Sequence, residues 1–593
     1  MNKDIYDKNS GRARNTAAVV FVMAAIWLIT PLRPAVSADE QKAAMLAWGG
    51  DLVVQTAYGL VKGKKDKNDT LTWLGIPYAS PPAGDLRWKA PQPPQAWSDI
   101  RDATHFGSRA LQKKAILGWT EGSEDCLYLN VWRPADASTD LPVYVWIHGG
   151  GNSSGASNAI PDYYGNGLAS KAHVVFVSIN YRLGIFGWFS HPALRENADP
   201  DSASGNFGTL DIIQALRWIQ ENIAAFGGNP DRVTVAGESS GAFNALTLLM
   251  SPRAQGLFHQ AVIESGYKTA TTKETAEAFA NELIKKLLIR EKKASTIAEA
   301  EDLFAHLPQK ELAQWLRSLP AKNMLAVFKS APSGMISFPY PVWDGDVLPS
   351  TGFDALADAA VRVPIIIGTN KEETKIFQWL GRANSKDPFY QAYAELSSAR
   401  WKADGADGMA DALTSNPDQP PVYVYRFDWG AYHPDGTNVL PEAVARRLGA
   451  FHSLEISFFL GTDTIHGNII LFNQIITKEN EKELRALQNQ MVSFIRNFAW
   501  TGDPNLAPEW SIASPGMSLA DNAETSSVTA LPFWLPWHAD EPDPAFIVFD
   551  ATRTEVATSI ARGRMTRTKV QEMLSQYPEP LQSRLREALE KNE

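Results

Sequence analysis

Cysteine is nearly absent: the chain of 593 residues holds one, Cys126. That excludes an internal disulfide framework and every multi-cysteine zinc or iron–sulfur site. Net positive charge is also lacking. With 66 Asp and Glu against 56 Lys and Arg, a formal net charge of -10 works against electrostatic capture of nucleic acid by the whole molecule. No fixed-period repeat occurs, and no Pro/Gly/Ser linker is long enough to part independent domains. The simplest organisation is one large unit. After residue 38 no apolar run reaches the roughly 20 residues that a bilayer span requires.

Apolar material, by contrast, is plentiful. At 44% hydrophobic and 10% aromatic, the chain can build a large core, and disorder as its main state is excluded. At the N-terminus Lys3, Lys8, Arg12 and Arg14 precede an apolar run from Ala17 to Ile29, followed by small residues at Val36-Ser37-Ala38. That order reads as a signal peptide over 1–38, cleaved after Ala38, with an uncleaved anchor as the competing reading. The mature protein is then expected in a periplasmic or secreted compartment, without a stable membrane span.

Short, β-branched apolar segments recur at 142–147, 174–179, 233–236, 364–367 and 422–427. Near-continuous apolar runs of this length suit buried, largely parallel strands. Between them, Leu210, Ile213, Leu216, Ile219 and Ile223 keep a helical spacing. The pattern predicts an α/β fold, a large mostly parallel sheet with helices on both faces. Charged, alanine-rich stretches at 272–318 and 390–414 read as helical insertions. The tail over 558–593 is polar and helix-forming.

Chemistry concentrates at Gly237-Glu238-Ser239-Ser240-Gly241, where a short strand runs into G-x-S-x-G and then into a helical pattern. This is the order of a nucleophile elbow, in which two glycines allow a sharp turn and the serine is exposed. A structural turn serine is the alternative. Upstream, another strand ends in His148-Gly149-Gly150-Gly151, whose bare amides can point at a developing oxyanion. A flexible turn or anion-binding nest would look the same.

Further segments, in order, are LGIPYASPPAG (74–84), SEDCLYLNVW (123–132), NYRLG (180–184), GNFG (205–208), FGGNP (226–230), DGDVLP (344–349) and TGDPN (501–505). With the elbow GESSG they resemble the type-B carboxylesterases, the cholinesterase-like branch of the α/β-hydrolase fold, across almost the whole mature chain. The resemblance implies a serine hydrolase of carboxylic esters that works through an acyl-enzyme, without cofactor or metal, on a small-molecule ester. It implies Ser239 as nucleophile and amides of Gly150, Gly151 and Ser240 as the oxyanion hole. The family's acid closes a G-x-N-x-[DE]-E segment, matched by 368–373, so Glu373 is chosen over its neighbour Glu372. Its histidine lies in G-x-x-H-x-x-E-x-x-F, matched by 449–458, which selects His452. Of the other histidines after Glu373 (His433, His466 and His538), His466 is the reserve.

Glu238 resembles the family's buried second acid beside the nucleophile, either shaping the pocket or structural. Arg87 and Glu124 resemble a structural ion pair. Ala110 stands where many members place the cysteine that would pair with Cys126. Asn152 follows the three glycines where an aromatic or alanine is usual; its amide is expected to favour short or polar acyl groups. Lys113 and Lys114 occupy the loop in which cholinesterases carry a cation-binding tryptophan, unless they are simply two solvated lysines far from the pocket, and Trp119 is displaced from that place, so choline esters are expected to be poor substrates. The same triad could serve an amide, carbamate or thioester. A non-catalytic, adhesion-type member of the family is a further alternative, and it fits poorly with three retained catalytic residues.

Overall fold

The computed structural model describes residues 47–114, 118–196, 198–269, 271–331, 333–466, 472, 474–509 and 531–591. The signal-peptide reading lies outside the described residues. Among the described residues, no helix is long and apolar enough to cross a membrane.

Eleven strands form the central sheet: β1 Lys64–Asp66, β2 Thr70–Pro77, β3 Tyr128–Pro134, β4 Leu141–Ile147, β5 Val175–Ile179, β6 Gly228–Glu238, β7 Gln260–Glu264, β8 Ile365–Asn370, β9 Val422–Phe427, β10 Ala545–Phe549 and β11 Ser559–Arg562. Their spatial order is 1-2-3-5-4-6-7-8-9-10-11. Strands β4 to β10 pair in parallel, whereas β1, β2, β3 and β11 join antiparallel at the two edges. Every residue of β4 and of β5 is buried, as strands covered on both faces require.

One face carries an aromatic core in which Tyr144, Trp146 and Phe176 pack with Phe494, Phe498 and Trp534. Helix Glu481–Thr501 lies on that face. Helices Phe207–Asn222 and Ser240–Met250, none of whose residues join that cluster, pack against β6 from the other. The anticipated insertions are helical: Lys273–Arg290, Ile297–His306 and Gln309–Ser318, then Pro388–Lys402 and Gly408–Thr414. The tail differs from the all-helical expectation, because its first part, β11, closes the sheet edge before helices Arg567–Ser575 and Leu581–Glu590.

Two further details position the site. The chain leaves β4 toward β5 and then crosses back to β6 on the opposite side. Such a reversal marks the carboxyl ends of the strands, where α/β sheets bind ligands. Arg87 forms a two-pronged bond with Glu124 at 2.6 and 2.7 Å and donates to the carbonyls of Leu316 and Leu319. It thereby ties the first helical insertion to the body of the molecule.

Candidate active site

Strand β6 ends at Glu238 and the next helix starts at Ser240, so the chain reverses at Ser239. Its φ of 57° and ψ of -121° occupy a region that costs a side-chain-bearing residue about 1–3 kcal/mol. The turn closes because its neighbours are glycine. A Cβ on Gly237 would lie 2.5 Å from the Gly241 carbonyl carbon, and one on Gly241 would lie 2.0 Å from the Ile147 oxygen. Ser239 N–H donates to the Glu264 carbonyl at 2.9 Å, which fixes the turn to β7. The serine keeps part of its surface accessible while Glu238 and Ser240 are buried.

Beyond β4, Gly150, Gly151 and Asn152 have φ of 110°, 61° and 51°. A Cβ on Gly150 would meet the Ser154 oxygen at 2.2 Å, so only glycine fits. Ser153 and Ser154 turn their amides back onto the Gly150 carbonyl. Among the described residues the amides of Gly150 and Gly151 find no acceptor, and Ser240 contributes one of the unsatisfied amides at a helix start. The glycine turn abuts the nucleophile: a Cβ on Gly149 would lie 3.1 Å from the Cβ of Ser239.

Asn152 requires a correction. Its amide was expected to await a polar substrate, yet it is fully buried and bonded both ways to Asn244, at 3.0 and 2.9 Å. Asparagine tolerates the left-handed backbone, and here its side chain ties the glycine turn to the elbow helix. The substrate preference inferred from Asn152 therefore loses its basis.

The acid and the histidine arrive from separate strand ends. Glu373 follows β8 and is wholly buried. Its Oε1 accepts from the Ser265 hydroxyl at 2.6 Å and the Asn370 amide at 2.7 Å, and its Oε2 lies 2.6 Å from His452 Nδ1. Glu372 turns away: it pairs with buried Lys375 at 2.7 Å and accepts from the amides of Tyr432 and Ala450. Among the described residues His466 has no carboxylate partner. It stacks on Phe472 at 4.6 Å, and burial, with His452 nearby, pushes its pKa down to about 4.

The second nitrogen of His452, Nε2, lies 3.0 Å from Glu238 Oε1, an oxygen that meets no donor in hydrogen-bond geometry among the described residues. Burial opposes a charged imidazole, but the carboxylates of Glu238 and Glu373 outweigh it and hold His452 well above the ordinary histidine value. Behind this pair sit two more buried acids. Burial and the neighbouring Glu238 and Glu373 raise Glu455 to about 8, while burial and the facing carboxylates push Glu264 well up. Rings of Trp401 and Phe377 flank the imidazole at 4.9 and 5.2 Å.

Sequence reasoning missed Ser265, Asn370, Asn244 and Trp401 in these roles. Glu455 stood within the histidine pattern without being assigned a task. In the loop ahead of β3, Gln112 bonds Gly155 in both directions, at 2.7 and 2.9 Å, so this loop braces the glycine turn. Lys114 is matched by Glu121 at 3.4 Å and Lys113 is 9% exposed. Ala110 and Cys126 line one small cavity of about 10 Å³, and Cys126 is 1% exposed with its thiol pushed well up by burial. An aromatic disulfide reagent is therefore expected to modify no thiol in the folded protein and one after denaturation. Rapid labelling under native conditions would contradict this burial.

The chain matches the carboxylesterase family over residues 50–404. The para-nitrobenzyl esterase of Bacillus subtilis (strain 168) is 35% identical over 483 residues, covering 76% of this chain and 90% of that protein. A fumonisin B1 esterase of Sphingopyxis macrogoltabida is 40% identical over 333 residues, covering 55% and 57%. Among solved structures, a carboxylesterase of Geobacillus stearothermophilus superposes with a TM-score of 0.64 at 28% identity, over 88% of this chain and 99% of that one. Matched by the family across more than half its length, and along most of a 35% identical relative, the chain belongs to the carboxylesterase family and is a carboxylic-ester hydrolase.

Proposed function

We propose that the protein cleaves small carboxylic esters through a Ser239–His452–Glu373 triad and an acyl-enzyme. The observation that carries this reading is the 2.6 Å contact between His452 and Glu373 at the strand ends that also bear the strained elbow serine. Ser239 attacks the carbonyl while His452 takes its proton; Glu373 orients the imidazole and stabilises its charged form. The collapsing intermediate receives that proton on the departing alcohol, and water then repeats the sequence on the acyl-enzyme. Amides of Gly150, Gly151 and Ser240 hold the oxyanion, a role worth about 3 kcal/mol per donor. We further propose that residues 1–38 direct export.

The test is a panel of 4-nitrophenyl esters with matched anilides and carbamates, run beside stoichiometric labelling by an organophosphate. Ester turnover with label on Ser239 is expected. Anilide turnover above ester turnover, or label elsewhere, would overturn the reading.

The pH profile carries its own prediction. His452 accepts a proton only when neutral, so activity falls as pH drops through its pKa. Glu238 and Glu373 hold that pKa up, which places the acid limb above the ordinary histidine value of about 6.5. Removing the charge of Glu238 disfavours the imidazolium, so Glu238→Gln should move the limb to lower pH. A limb that stays in place would show that Glu238 carries no charge beside His452.

A further inference from the structure

Aromatic rings form two packed walls beside the Ser239 elbow, with His148, Tyr181 and Trp188 buried. On the glycine-turn side His148 stacks on Tyr181 at 4.6 Å, Tyr181 meets Trp188 at 6.3 Å, and Trp188 meets Tyr340 at 5.8 Å. On the other side Trp401, 4.9 Å from His452, meets Tyr267 at 6.2 Å. The two walls join where the phenol oxygens of Tyr267 and Tyr340 lie 2.6 Å apart. Phe243, four residues past the nucleophile on the elbow helix, supports both rings at 5.2 and 5.7 Å.

Two hydroxyls that share one hydrogen bond spend one proton between them. Whichever tyrosine donates, the other keeps an O–H that finds no acceptor among the described residues. Both tyrosines keep part of their surface accessible. Burial raises both phenols above their ordinary value, so they are neutral donors at neutral pH. An otherwise apolar wall with one unspent donor discriminates sharply, because a ligand that offers only methylene there leaves the donor unpaired.

We propose that the Tyr267–Tyr340 pair is a substrate subsite that reads a hydrogen-bond acceptor, an ether, hydroxyl or carbonyl oxygen, carried on one arm of the ester. This rests on Ser239 being the nucleophile and adds a substrate class to it. The subsite replaces Asn152 as the origin of any polar preference.

The test uses isosteric pairs that exchange oxygen for methylene. 4-Nitrophenyl methoxyacetate against butyrate probes the acyl arm, and 2-methoxyethyl acetate against butyl acetate probes the alcohol arm. The readout is the oxygen-to-methylene ratio of kcat/KM in the parent protein relative to Tyr267→Phe, Tyr340→Phe and the double variant, in which intrinsic reactivity cancels. Phenylalanine preserves the ring packing, and melting curves verify the fold. A fall of about tenfold in the double variant, in either arm, is expected for the loss of such a donor. Equal slowing of both members of each pair, or no change in either ratio, overturns the proposal. If instead Ser239→Ala kept its turnover, the triad would fall while the ratios remained measurable, so the two failures are distinguishable.

Discussion

Replacing Ser239 by alanine is expected to lower kcat for 4-nitrophenyl esters by about 10⁶-fold, the scale on which removal of a triad nucleophile acts. Binding should persist, since the oxyanion amides and the aromatic walls are untouched. The variant should also fold, because alanine occupies the same backbone with the same strain. A companion variant separates chemistry from architecture. Glycine has no Cβ to oppose φ of 57° and ψ of -121°, so Ser239→Gly should be equally inactive yet more stable than Ser239→Ala by about 1 kcal/mol. Turnover in a folded Ser239→Ala protein would end the triad reading. A Ser239→Gly protein no more stable than the alanine variant would refute the stored strain.

Glu373→Gln should cost about 10⁴-fold in kcat, as when a triad acid is replaced by its amide and the imidazole loses its tautomer and counter-charge. The adjacent glutamate supplies the control. Glu372 pairs with Lys375, whose side chain is wholly buried, so Glu372→Gln leaves an ammonium without its partner. That change should destabilise the protein by about 3 kcal/mol while the folded fraction keeps its activity. Equal kinetic loss in both variants would mean that Glu373 acts only through the fold. Kinetics at 10 °C together with thermal melts of both proteins make the distinction.

Much of this architecture could be read from residue order. Strands β4, β5 and β9 were legible because strands buried on both sides are written as near-continuous runs of β-branched and aromatic residues. The edge strands β1 and β11 were not. Lys64–Asp66 and Ser559–Arg562 are partly exposed, and their strand character comes from the neighbour that each hydrogen-bonds. Strand β7 ends in Glu264, a buried carboxylate with no hydrogen-bond donor among the described residues, which no hydropathy pattern would place inside a core.

At the site, the glycines announced themselves because close backbone approach leaves no substitute for them. The pairing of Asn152 with Asn244 and the meeting of Tyr267 with Tyr340 left no local signal, since these partners lie 92 and 73 residues apart.

By itself, then, the order of residues determined the α/β layering, the elbow at Ser239, the glycine turn before it and the short list of acids and bases, since each depends on local sterics or on periodicity. The match to the family pattern already singled out Glu373 over Glu372; only the tertiary structure decided that Glu373 meets His452 Nδ1, that Glu238 lies against Nε2, and that Asn152 is already satisfied. Those outcomes depend on which side chains the strand ends bring within 3 Å of one another, and such distances arise from the packing of segments far apart in the chain.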